Sequence, residues 1–306
     1  MLPTRVEWPT VAVACSIAAG FAAILVWHDQ LPVAIVVAAL ALLAAWYNSL
    51  QHEVIHGHPT PSRRVNTAMA SLPVGLVIPF GWYRSSHLAH HRDQHLTDPT
   101  QDPESFYVSA EAWESSGRAG RAVLWVLSTL PGRMVVGPPV LTLRMVATGW
   151  SAFRRRPVDT AIRGIRHVSG VVAVLAVVIL SGLDVWVYLL GAVWFGWSIS
   201  LMRGFAEHRF VEEGTQSAVV RAGPVMSLLY LNNNLHLSHH ARPGVPWYEL
   251  PALHRQLDAD TGAAAGAGLY TGYLDVARRF AVRPFCQPVH PGWTTNVENR
   301  IRLRDR

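Results

Sequence analysis

The stretch VAIVVAALALLAAWYNSLQHEVIHGH, Val33–His58, joins an uncharged run, Val33 to Tyr47, to the pair His52-Glu-Val-Ile-His56. The run is near the length needed to cross hydrocarbon, about 20 residues. If its helix continues, at about 1.5 Å per residue, His52 and His56 rise one to two turns above the apolar layer. A spacing of four puts both imidazoles on one helix face. Working outward, a second such run, Val11 to Trp27, precedes it across the polar link His28-Asp29-Gln30. Two more, at 168–183 and 185–202, flank Asp184 in the second half of the chain. Buried helices of a soluble core are the alternative, and four runs of this length argue against it. A cleaved signal peptide would explain the first run after Arg5, but the second run follows too soon. The expectation is an all-α integral-membrane protein: four transmembrane helices in two hairpins, with a helical cap on the side of His52 and His56.

Half of the 306 residues are apolar and 15% are charged. The short hairpin loops hold Asp29 and Asp184 and no arginine, whereas Arg63, Arg64, Arg84, Arg92, Arg154, Arg155 and Arg156 lie in the other segments. By the positive-inside rule, both termini and the cap face the cytoplasm, as in a bacterial inner-membrane protein. The net charge of +6 fits a face lying against anionic lipid and calls for no nucleic-acid partner. Cys15 and Cys286 make neither a disulfide framework nor a thiolate metal site.

Residues 1–281 read as one membrane domain, and 282–306 as a polar, loosely ordered tail. Between the hairpins, Met69 to Phe80 is apolar but broken by Pro73 and Pro79, so it should dip into the membrane surface without spanning. Ala122–Leu130 and Val140–Trp150 suit helices lying in the interface, or packed on the cap. Gly204 to Val219 is expected to be helical around His208. Pro224 to His240 ends in a histidine cluster, and three prolines make 241–251 an extended, aromatic-rich connection.

Three histidine boxes carry the chemistry. His52-Glu-Val-Ile-His56 alone matches the zinc-protease signature, with Glu53 as general base. His87-Leu-Ala-His90-His91 and His236-Leu-Ser-His239-His240 shift the balance, because the spacing i, i+3, i+4 recurs on two helices far apart in the chain. Eight imidazoles exceed the needs of one tetrahedral zinc. Two imidazole-binding metal ions are the economical explanation, with iron, copper, nickel and zinc all admissible. A reversible metal carrier is a further alternative. Glu53, Asp93, Asp98, Asp102 and Glu207 are candidates to hold the free ring nitrogens, although Asp98 and Asp102 would also serve as turn or helix caps. His28, His58, His95, His167, His254 and His290 are assigned to no site.

In order, spacing and membrane placement, HEVIH, HLAHH and HLSHH within NNNLHLSHHARPGVPWYELP resemble the membrane fatty acid desaturase superfamily of desaturases, hydroxylases and ketolases. SSHLAHHRDQHLTDPTQDPES, with Asp-Pro steps at Asp98 and Asp102, is similar to bacterial desaturases. The resemblance covers nearly the whole chain. It implies a di-iron centre (two Fe ions) held by His52, His56, His87, His90, His91, His236, His239 and His240, with His208 in Glu207-His208-Arg209 as an isolated ninth ligand. It implies an oxidoreductase that uses O2 and external electrons to desaturate an acyl lipid; a hydroxylase or ketolase of a lipid or terpenoid would use the same site. The family's asparagine four residues before the isolated histidine is Gly204 here, and Asn232 or its neighbours Asn233 and Asn234 are candidates to replace it. The chain carries no flavin or nicotinamide fingerprint and too few cysteines for an iron–sulfur cluster. A ferredoxin- or rubredoxin-like donor with its reductase is therefore the expected partner, beside the amphiphilic substrate.

Overall fold

Four apolar helices, Trp8–Gln30, Val33–Ile55, Pro157–Leu180 and Val185–Phe205, are long enough to cross a membrane. They belong to a computed structural model that describes residues 2–92 and 95–292. The chain is an all-α integral-membrane protein; among the described residues the only ladder is a parallel pair, Val219–Val220 with Leu269–Tyr270. Both hairpin turns follow from their residues. Pro32 holds Leu31 extended between the first two spans. Gly182, at φ +81°, ends the third span, and Asp184 caps the fourth by accepting from the Trp186 N–H. His28 bonds the Ser181 carbonyl at 3.1 Å, tying the two turns together.

One core unites the spans: Val13, Ile17, Val36, Leu40, Val174, Val178, Tyr188 and Ala192, with Val74 between them. The fourth span approaches the second through small residues, as membrane helices do. A Cβ on Gly191 would lie 2.9 Å from the Val37 oxygen, and one on Gly196 2.8 Å from the Ala44 Cβ. Residues Leu189–Phe195, which include Gly191 and end just before Gly196, adopt a π-helical bulge. The second span continues unbroken to Ile55, so His52 is helical and His56 is its C-cap.

The apolar segment after Met69 does not span. A helix, Arg63–Ala70, gives way to turns that run to Pro79, where the helix Phe80–His90 begins. Irregular backbone at this depth needs partners for its carbonyls. The spans supply them: Tyr47 donates to Met69 O, Gln51 to Ala70 O, Tyr188 to Val74 O, Trp197 to Gly75 O and His167 to Leu76 O, at 2.7–3.1 Å.

Elsewhere the structure departs from the sequence expectations. Gly204–Val219 is not helical: the fourth span ends at Phe205, and His208 bridges back to Ser217 around a turn made by Gly214 at φ +91°. Residues 242–249 form turns instead of an extended link, and Pro251 sits in the first turn of the helix Leu250–Gln256, where its missing N–H costs nothing. The third span begins eleven residues earlier than the apolar run, at Pro157, and Val140–Trp150 lies within a longer helix, Gly137–Arg155. The stretch after Ala281, expected to be a loose tail, is packed as far as Gly292: Phe285 is buried, its N–H donates to Ser128 O, and Val289 bridges to Val108.

Candidate metal centre

Each histidine box is placed by a short helix or a helix end. The second span presents His52 and His56 one turn apart, Phe80–His90 carries His87 and His90 with His91 as its cap, and His236–Ala241 carries the third box. His208 enters from the bridge after the fourth span. All nine converge in two groups whose ring nitrogens lie within 4.8 Å of one another: His52, His56, His87, His91 and His239, then His90, His208, His236 and His240. The second and third boxes each contribute to both groups. The groups therefore adjoin, with His91 stacked on His240 at 4.2 Å between centroids.

The two nitrogens of each ring have different tasks. Nδ1 of His87 donates to Glu104 at 3.0 Å, and Nδ1 of His90 to Asp102 at 2.8 Å. Nδ1 of His208 donates to the Gln216 carbonyl at 3.3 Å, and Nδ1 of His236 to Asn233 Oδ1 at 3.2 Å. A proton on Nδ1 leaves Nε2 of a neutral ring with a bare lone pair. Yet Nε2 of His208 faces Nε2 of His90 at 3.0 Å and Nε2 of His236 at 2.8 Å. In the other group Nε2 of His87 faces that of His56 at 3.1 Å and that of His91 at 3.0 Å, and His91 faces His239 at 3.0 Å. In the group of His90, His208 and His236, where all three rings donate through Nδ1, the lone pairs are directed at one another and repel, and a cation between them reverses the sign. Two imidazoles bonded at about 2.1 Å to one ion, at near right angles, place their nitrogens about 3 Å apart. Among the described residues, buried nitrogens of His52 and His240 have no hydrogen-bond partner. The donor set fits two metal ions.

Electrostatics agree. Burial, followed by the neighbouring imidazoles, pushes His87, His236, His239 and His240 well below the usual histidine range, and His208 down to about 3, so these rings stay neutral donors. At His90 burial also opposes protonation, but the Asp102 bond and the charges of Glu104 and Glu207 outweigh it and raise its pKa. That position favours positive charge, whether proton or metal.

The description Fatty acid desaturase belongs to the family model that matches residues 26–271, most of the chain. This protein belongs to the fatty acid desaturase family. No curated protein matches it. Family membership makes its activity of the desaturase or hydroxylase type, an oxidoreduction at a membrane.

Not every residue singled out in this desaturase-family chain meets the histidines. Glu53 turns away: its carboxylate accepts the Trp247 N–H at 3.1 Å and bonds no box histidine, which removes the geometry a protease base would need. Asn232, at φ +54°, donates to the Trp247 carbonyl, and Asn233 is the one beside His236. Asn233 also donates to Glu207, which pairs with Arg203 at 3.0 Å and lies 3.5 Å from His236 Nδ1. A Cβ at Gly204 would sit 3.4 Å from that Glu207 carboxylate. Asp98 caps a turn by accepting from Thr100 and Gln101, while Asp102 holds His90. Asp93 lies outside the described residues. Glu104, Gln216 and Arg203 carried no signal beyond proximity in sequence to Asp102 and His208. Five unassigned histidines have partners of their own: His28, His167, His58 with Glu7, His254 with Ser238 and Asp260, and His290 with Thr97.

Proposed function

We propose that this protein is a membrane-bound, O2-dependent desaturase whose eight box histidines and His208 hold two iron ions. What carries this is the face-to-face set of Nε2 atoms, each backed at Nδ1 by an acceptor in the rings of His87, His90, His208 and His236. When bound, the metal pair would supply reduction of dioxygen and the oxidising power to attack an unactivated C–H bond. Desaturation would consume one O2, two external electrons and two protons per two hydrogens removed, releasing two waters. Hydroxylation would place one oxygen in the product and release one water.

The protein's part is positioning. Asp102, Glu104 and Asn233 hold the rings in one tautomer and orientation. Burial of the imidazoles keeps bulk water from the centre. A cavity of about 280 Å³ beside His56 mixes Arg63 and Arg84 with Leu2, Phe80 and Leu88. That combination suits the head of an amphiphile at a membrane surface, which supports a lipid substrate, an acyl chain in the first instance. Arginine-rich polar segments favour a cytoplasmic site. Arg92 and Arg242, exposed directly after the second and third boxes, suit an acidic ferredoxin- or rubredoxin-like donor.

Metal analysis of the purified chain should find about two irons, one for each histidine group. Lipids of a host expressing it should gain species lighter by two hydrogens, and His87→Ala or His239→Ala should abolish them while the chain stays in the membrane. Gain of one oxygen instead would identify a hydroxylase. A single zinc with no oxygen uptake would overturn the proposal.

A further inference from the structure

On the membrane side of the histidines, a narrow cavity of about 10 Å³ lies between the second and fourth spans and the irregular segment after Ala70. It has room for one oxygen-sized atom. Its walls include Asn48, Gln51, Ser200, Tyr47, Gly75 and Trp197. Four of these, Asn48, Gln51, Ser200 and Tyr47, carry polar groups at a depth where such groups are costly and mark function. Gln51 spends its amide N–H on Ala70 O, Tyr47 its hydroxyl on Met69 O, and Ser200 its hydroxyl on Gly196 O. Asn48 differs. It is 9% exposed, and among the described residues its side-chain amide has no hydrogen-bond partner. It stands one helical turn, about 6 Å, before His52 on the same helix.

We infer that Asn48 is a specificity-determining residue that hydrogen-bonds a hydroxyl or carbonyl oxygen of the substrate, so that the oxidised carbon lies within a few bonds of an oxygen-bearing carbon. This rests on the oxidase proposed above and narrows its substrate class. A plain methylene in the cavity would leave the amide buried and unpaired, whereas an oxygen satisfies it. Sites built to bond a substrate oxygen discriminate strongly against analogues that lack it. The Trp197 indole, bonded to Gly75 O, forms part of the cavity wall.

Products from a host expressing the wild-type chain, Asn48→Leu or Asn48→Ala would be mapped by mass spectrometry, with metal content measured on each purified chain. The new double bond or hydroxyl should fall within about four carbons of an existing oxygen-bearing carbon. Both variants should keep wild-type metal content and lose that product about tenfold or more. A wild-type product modified far from any oxygen, or an unchanged yield in either metal-replete variant, overturns the inference and leaves the oxidase standing. A wild-type chain that binds metal and oxidises no lipid overturns the oxidase instead. The cavity is then judged by thermal shift with octadecanoic acid and its series of keto isomers. Extra stabilisation by one keto isomer, lost in Asn48→Leu, supports the oxygen site; equal stabilisation by all overturns it.

Discussion

A histidine offers two nitrogens, and at this centre the outer one decides what the inner one can do. Asp102 accepts from His90 while also accepting the backbone N–H groups of Thr97 and Glu104, so it is itself held. Asp102→Asn keeps the shape and removes the charge. It should weaken metal binding at the second group about 10- to 100-fold, read by metal titration of the purified chain. Glu53→Gln should leave metal content unchanged, because Glu53 is bonded to Trp247 and not to a box histidine. The i, i+4 spacing of His52 and His56 was legible in the sequence. The carboxylate behind each ring was legible only for Asp102 and Glu207, since Glu104 reaches His87 through a loop whose path no local pattern specifies.

At the scale of elements, the turns between Ala70 and Phe80 are the unusual piece. Proline at positions 73 and 79 forbids a helix there, so the chain exposes carbonyls at membrane depth. Their partners come from three different spans. Trp197→Phe would strip Gly75 O of its indole donor while keeping an aromatic ring against the segment. A loss of about 1–3 kcal/mol is expected, measured as a lowered unfolding temperature in detergent. The broken apolar pattern announced that this segment does not span. Which side chains make that tolerable depended on packing, because Tyr47 and Trp197 look like ordinary membrane aromatics until the segment is placed between them.

For the molecule as a whole, the short turns at Asp29 and Asp184 lie at one end of the bundle and the histidines at the other. The proposed cytoplasmic cap predicts that a membrane-impermeant maleimide should label Asp29→Cys in intact cells and Ser115→Cys only in inside-out vesicles, in a chain with Cys15 and Cys286 replaced. Both positions are exposed. The opposite pattern would reverse the assigned orientation.

The sequence alone determined the spans, their pairing into hairpins and the existence of a multi-histidine site. These depend on apolar length and on residue spacing along one helix, both local properties. It did not determine that His208 leaves the helix, because a glycine turn and a bridge to Ser217 compete with helix continuation and win through tertiary contacts. Only the tertiary structure decided how the boxes divide, with His87 and His91 in one group and His90 in the other. That division depends on how the end of the second span and the helices Phe80–His90 and His236–Ala241 come together, and adjacent residues on one helix point too far apart to share a metal ion.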